Sequence, residues 1–380
     1  MDMICVPREP DELRWAAIEP MKDVYRQAEC ILVVCRELAW LPSPSTPDEI
    51  LVRIFRCKWM TRLWTLQEGA LAQRLKFQFE DHPIDYNYLD DSMIAGLAGA
   101  SRLSRLVGNR ANRTLTGITG ILTPKVSGRD EGQGAWSAFW TALRHRATPR
   151  RSDEAICASI LLGNDPRPVL RASKEEKMKA FWREQKSIPS GILWVNGRRM
   201  TVDSLRWAPE SLLDVRTWAL SLPSGGPWTS RTDDGFVVQR VEGFWLRGLP
   251  HPDGENSLLE FADKRTAASY YVYRMENVGN APWAQVREHW ARVALLWREK
   301  PQPEAFSAGA LISFQDVEDE VIRARWLVQV SVFPKAAASV VPILRERSEF
   351  VDGRIQHHAA PIVRSGSAGF IQSWRKWCTY

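Results

Sequence analysis

The most informative side-chain spacing in this chain lies in Arg62-Leu63-Trp64-Thr65-Leu66-Gln67-Glu68. Trp64 and Glu68 stand at i and i+4, so on a helix they share one face. A carboxylate on a firm helix, facing a cleft, stabilises positive charge developing on a sugar ring, as in glycoside hydrolysis. An indole one turn away supplies a stacking wall. Each residue also has a plainer reading. Glu68 fits an exposed helix position or an ion-pair partner of Arg62 or Arg74, and Trp64 fits a core anchor. Other reactive residue types lack a pattern. Cys5, Cys30, Cys35, Cys57, Cys157 and Cys378 contain no CxxC pair, which argues against a zinc site and against a disulfide framework. Cys5 and Cys35 read as buried, inert strand cysteines. The histidines show no HExxH spacing, so no metal is expected.

The RxWTLQE string resembles the last signature motif of the fungal heterokaryon-incompatibility (HET) domain. That family resembles the Toll/interleukin-1 receptor (TIR) domain, where a related Trp-Cys-x-x-Glu string carries the glutamate of NAD-cleaving members. Asp2-Met3-Ile4-Cys5-Val6-Pro7 is similar to the tail of the family's second signature. The helix after it carries Arg14, Met21, Tyr25 and Ala28 in the R…M…VY…A pattern, and Glu29 to Glu37 looks like the following central strand. These matches cover about the first 80 residues. The family's first signature is absent, and Arg8 stands where a glutamine is expected. The chain thus looks N-terminally truncated: it starts further upstream or is a degenerate copy. Later pieces resemble the C-terminal extensions of HET proteins: Arg146-x-Thr148, Asp153 to Cys157, Arg199-Met200 and Arg206-Trp207-Ala208-Pro209. Packing or interdomain contact is their expected role.

The resemblance implies an incomplete TIR-like parallel sheet flanked by helices, with its cleft outside the carboxyl ends of the strands. It implies Glu68 as the catalytic carboxylate, Trp64 as a wall, and Asp2 and Cys5 near the edge of the same cleft. NAD would be a substrate there rather than a resident cofactor. In the related TIR fold the first strand and its loop line that cleft. The favoured reading of this chain is therefore a non-catalytic signalling or interaction module of fungal non-self recognition and regulated cell death, working through protein partners or self-association. The alternative is an NAD-cleaving effector.

The elements that must position these residues read as α/β at the N-terminus. Met1 to Pro7 reads as a strand remnant, Asp11 to Ala28 as a helix, Cys30 to Cys35 as a strand. Thr46-Pro47-Asp48-Glu49 is a capping box with proline at the first helical position. Lys58 to Ala72 reads as the helix bearing the motif, and Arg74 to Phe79 as an alternating strand. Residues 81–187 read as mostly helical, with Trp136, Phe139, Trp140 and Leu143 on one helical stripe, Ser152 as an N-cap, and a capping box at Ser173. The loop Gly128 to Gly134 lacks the Lys-Ser/Thr of a phosphate-binding loop and reads as a linker. Residues 188–380 read as a strand-rich α+β region. It holds a hairpin around Asn196-Gly197, strands at Phe236 to Leu246, Tyr270 to Arg274 and Trp326 to Phe333, and a helix at Ala284 to Lys300 striped by Val286, Trp290, Val293 and Trp297. Three regions are thus expected, 1–80, 81–187 and 188–380.

Composition is that of an ordinary globular protein, 44% hydrophobic and 25% charged. No apolar run approaches the roughly 18 to 20 residues of a membrane span, and a cytoplasmic, reducing location is expected. Net charge is +6 but uneven, with Arg102, Arg105, Arg110, Arg113, Lys125 and Arg129 and no acid between Ser92 and Arg129. A second basic cluster runs Arg144-His145-Arg146 and Arg150-Arg151. Without a recognition motif or interleaved aromatics, these read as solvated or docking arginines, and nucleic acid is not expected. Most of the eighteen tryptophans are expected as core anchors.

Overall fold

A computed structural model of the chain describes residues 6–86 apart from residue 8, single helical positions between 136 and 143, residues 146–213 apart from 196 and 203, and from residue 228 the strands and turns given below. It is a mixed α/β molecule of helices and a strand-rich, curled, mainly antiparallel sheet. It divides into two compact units, residues 1–185 with Ser211–Leu213 and Ser221–Gly225, and Lys186–Glu210 with Asp214–Leu220 and Gly226–Tyr380.

The first unit runs α1 (Asp11–Ile18), α2 (Met21–Gln27), β1 (Ile31–Val33), α3 (Arg36–Ala39), α4 (Pro47–Arg56), a 3₁₀ turn (Lys58–Thr61), α5 (Thr65–Leu71), β2 (Leu75–Gln78), β3 (Pro83–Asp85), α6 (Ser152–Leu161), α7 (Arg167–Arg171) and α8 (Lys177–Glu184). The expected single helix over Asp11–Ala28 is broken in two. Pro20 has no N–H to donate and its ring obstructs the preceding turn, so α2 restarts after it. In α4, Pro47 sits in the first turn and Ile50, Leu51 and Ile54 are buried on one side. Thr46 makes no side-chain cap hydrogen bond, and neither does the residue capping α6, which begins at Ser152 itself rather than being capped by it. The box at Ser173 forms a turn before α8, whose N-cap is Glu176.

β1 pairs parallel with β2, Ile31 opposite Leu75 and Val33 opposite Phe77, and β2 pairs antiparallel with β3. The described N-terminal sheet is therefore mixed, with parallel pairing confined to β1 and β2. Phe77 and Phe79 are fully buried, and Trp59 meets Phe77 edge-on at 5.5 Å. Trp136, Phe139, Trp140 and Leu143 are helical and buried, with Trp136 stacked on Trp182 at 6.1 Å. Met1 to Cys5, the basic run Ser92 to Arg129 and the Gly128–Gly134 loop lie outside the described residues; Val6 and Pro7 are not in a strand.

The second unit begins with β4 (Ser187–Pro189) and a 3₁₀ turn (Ser190–Trp194). That turn replaces the expected hairpin at Asn196-Gly197. Arg199 Nη1 and Nη2 donate to the carbonyls of Ile192, Leu193, Val195 and Trp207, which curls the segment around one guanidinium. Then follow β5 (Trp228–Thr232), β6 (Gly235–Val238), β7 (Glu242–Trp245), β8 (Leu258–Asp263), β9 (Ser269–Arg274), β10 (Val293–Trp297), β11 (Ser307–Glu318), β12 (Val321–Pro334), β13 (Glu346–Val351), β14 (Arg354–Ala359), β15 (Ile362–Ile371) and β16 (Lys376–Thr379). The main sheet has the order β11-β10-β7-β15-β8-β9-β12-β16-β6-β5-β4, and a β11–β12 pairing closes its first seven strands into a ring. Phe244, Phe261, Tyr270, Trp297, Val328 and Val330 belong to one buried cluster contributed by these strands.

The expected helix over Ala284–Lys300 is a correction of type, not of burial. Val286, Trp290, Val293 and Trp297 are all buried, but helical structure ends at Arg292 and Val293–Trp297 is β10. β7 and β11 flank it and satisfy its backbone on both edges, and that pairing overrides a helical stripe read locally. Close strand approach also fixes Gly243. A Cβ there would lie 2.0 Å from the Leu295 carbonyl oxygen. Gly243→Ala should therefore push β7 off β10 and destabilise this unit by about 3 kcal/mol, measurable by denaturant unfolding. An unchanged midpoint would refute the packing argument.

Candidate functional site

The RLWTLQE string does not form one continuous helix. After the 3₁₀ turn, Arg62 is extended (φ −84°, ψ 136°) and α5 starts at Thr65 with Trp64 at its N-cap. The interruption has a partner. Ala147 N–H donates to the Thr61 carbonyl at 2.7 Å, and Leu63 N–H donates to the Ala147 carbonyl at 3.0 Å. Beside this bridge Arg146, only 5% exposed, donates from Nη1 to the carbonyls of Trp59 (2.9 Å) and Arg62 (3.1 Å) and to Thr65 Oγ1 (2.9 Å). Its guanidinium also lies over the Trp59 ring, 5.4 Å from the centroid. Burial lowers the Arg146 pKa to about 10, against which the nearby Cys57 and Glu68 act, so it stays charged at neutral pH. The sequence placed Arg146 in a basic cluster; the fold makes it the clamp of the motif.

Glu68 is partly buried in the first turn of α5, where its Oε2 accepts from Trp59 Nε1 at 2.8 Å. Trp64 is engaged elsewhere. Its Nε1 donates to Asp153 Oδ2 at 2.6 Å, and Asp153 Oδ1 accepts from Arg14 Nη2 at 2.9 Å. Asp153 is 3% exposed on α6, so it holds α1, the motif and α6 together. Asp153→Ala would leave the Trp64 indole N–H and the Arg14 guanidinium without this acceptor and should cost about 2–4 kcal/mol. Thermal unfolding checks this, and Asp153→Asn should recover part of the loss.

A cavity of about 260 Å³ lies along this junction, lined by Arg14, Met21, Arg62, Trp64, Arg150 and Asp153 among others. Glu68 is not among its lining residues. The structure thus brings Trp64 to a cavity wall and gives Glu68 a different neighbour. Asp2 and Cys5 lie outside the described residues. Gln67 is fully buried, and its amide makes no hydrogen bond among the described residues. Cys157 is fully buried as well, and that burial pushes its thiol well up.

Sequence reasoning missed Trp59 as the donor to Glu68 and Arg146 and Asp153 as the residues that hold the string. The last two stand in pieces whose expected role was packing or interdomain contact, but spacing alone could not show what they touch. Cys35 is also corrected. It follows β1 at the N-cap of α3 and is partly exposed, not buried in a strand. No cluster of three or more metal-ligating side chains occurs among the described residues, and no described helix is long and apolar enough to cross a membrane. Comparison of the chain with protein-family models, curated proteins and solved structures returns no match.

Proposed function

We propose that this chain is a HET-like signalling or interaction module of fungal non-self recognition, acting by self-association or through a protein partner. The observation that carries the reading is an apolar, solvent-facing stretch at one end of the N-terminal sheet. Among the described residues β1 is the end strand in the order β1-β2-β3. Leu32 is 48% exposed on it, and just after it Val34 is 68% exposed, followed by Trp40 at 76% and Leu41 at 41%. Edge strands with apolar, exposed side chains are templates for pairing with another chain. The engagement of Glu68 by Trp59, away from the cavity, supports a non-catalytic role.

Leu32→Lys with Val34→Lys should weaken association roughly tenfold or more, read by sedimentation or light scattering over a concentration series. A wild-type chain that stays monomeric, with no partner lost in the double variant, would overturn this reading.

The NAD-cleaving alternative keeps one observation in its favour. The cavity beside α5 is lined by Trp64 together with three arginines, Arg14, Arg62 and Arg150. Nicotinamide release that disappears in Glu68→Gln would establish it in place of the first reading.

A further inference from the structure

The box Thr46-Pro47-Asp48-Glu49 does not cap α4, which leaves a hydroxyl without a task in the fold. Thr46 precedes α4 with extended backbone (φ −116°, ψ 138°) and makes no side-chain cap hydrogen bond. It is exposed, and its hydroxyl has no hydrogen-bond partner among the described residues. Pro47 accounts for the backbone, because the residue before a proline is pushed out of the helical region into an extended one. Pro44 stands two residues before Thr46 and fixes its own φ.

The loop is tied down at its start. Ser43 donates from Oγ to Asp81 Oδ2 at 2.5 Å and from its N–H to Oδ1 at 2.9 Å. Arg53 Nη1 donates to the Pro42 carbonyl at 3.0 Å, and Glu80 N–H donates to the Leu41 carbonyl at 3.0 Å. Beyond these ties Ser45 and Thr46 are exposed. A hydroxyl residue followed by proline occurs four times in the chain, at Ser43, Thr46, Thr123 and Thr148. Thr123 lies outside the described residues. Ser43 is committed to Asp81. Thr148 is half-buried, and its hydroxyl donates to the Arg150 carbonyl and accepts from Arg150 N–H, both at 3.2 Å. Its neighbour Ala147 is bridged to Thr61 and Leu63. Among the described residues, Thr46 alone combines the pattern with an exposed, uncommitted hydroxyl.

We infer that Thr46 is a phosphorylation site for a proline-directed protein kinase that uses ATP. Such kinases take an extended segment with proline directly after the acceptor, and the mitogen-activated class also selects proline two residues before it. In the transfer, Thr46 Oγ bonds to the γ-phosphorus and the bond from that phosphorus to the β–γ bridging oxygen breaks. ADP leaves, and the hydroxyl proton passes to the kinase's catalytic carboxylate. The product carries about two negative charges at neutral pH. They enter a loop that opens at Leu41, the end of the exposed apolar stretch Leu32, Val34, Trp40 and Leu41, and Asp48 and Glu49 follow in sequence with like charge. Resting on the association reading above, phosphorylation is then its off-switch, because new charge beside an apolar contact opposes its desolvation.

The test incubates the full-length chain with a purified mitogen-activated protein kinase and Mg·ATP, maps phosphate by peptide mass, and follows sedimentation before and after. The folded wild type should gain a single phosphate, on Thr46. Thr46→Ala should lose it, while Ser43→Ala and Thr148→Ala keep it, with circular dichroism confirming that all three fold. Pro47→Ala retains the hydroxyl and should lose most of the labelling. Absence of phosphate on Thr46 overturns the assignment, as does undiminished labelling of Pro47→Ala. The phosphorylated chain should shift toward monomer over the same concentration series. Association as tight after phosphorylation overturns the off-switch. A chain monomeric in both states overturns the association reading instead and leaves the phosphate map standing.

Discussion

Arg146→Ala will lower the stability of the N-terminal unit by about 3–5 kcal/mol, the range for removing one member of a buried charged network. In a unit of this size that corresponds to a fall in Tm on the order of 10 °C. Three acceptors converge on one nitrogen: the carbonyls of Trp59 and Arg62 and the Thr65 hydroxyl oxygen. Thr65 Oγ1 itself lies 2.5 and 2.7 Å from those two carbonyls, so this network is what bends the chain between the 3₁₀ turn and α5. Alanine would leave the two carbonyls only the Thr65 hydroxyl proton to share and would remove the cation over the Trp59 ring. Lysine will not restore the loss, because an ammonium on a flexible stem lacks the planar fork that packs against the indole while donating. Thermal melts of the alanine and lysine variants check this. A full rescue by lysine would show that charge alone, not geometry, is required.

Arg199→Ala will act in the same way on the second unit, with an expected loss of about 2–4 kcal/mol. Four carbonyls face this guanidinium, from Ile192, Leu193, Val195 and Trp207. It also packs 5.0 Å from the centroid of the Trp326 ring. Burial lowers its pKa to about 9, which still leaves it charged at neutral pH. Once it is gone, the turn Ser190–Trp194 has no common donor. The local sequence preference for an extended hairpin around Asn196-Gly197 should then gain. Hydrogen exchange at residues 190–195, with denaturant unfolding of the variant, reads both effects. Unchanged protection there would show that the turn is held by apolar packing of Ile192, Leu193 and Trp194, all buried.

These two arginines mark the boundary between what could be read and what could not. Local patterns located α4 from its proline and its Ile50–Ile54 stripe, and β2 from the alternation of Leu75 and Phe77. They also picked the buried positions of β10, Val293 and Trp297, while assigning them to a helix. Residues four apart on a helix can equally lie on one face of a strand, two being an even divisor of four. β7 and β11 resolve that ambiguity, and neither is near β10 in the local window a pattern reads.

The candidate site divides in the same way. The sequence by itself determined where many apolar residues would be buried, and that the arginines and tryptophans of this region must find acceptors or aromatic contacts if enclosed. Only the tertiary structure decided that Trp64 reaches Asp153 while Glu68 takes the Trp59 indole. It also decided that Arg146, 84 residues beyond Arg62, supplies the motif's missing donor. The physical reason is that burial preference is a property of each side chain, whereas a hydrogen-bond partner is a property of the place to which the whole chain carries it.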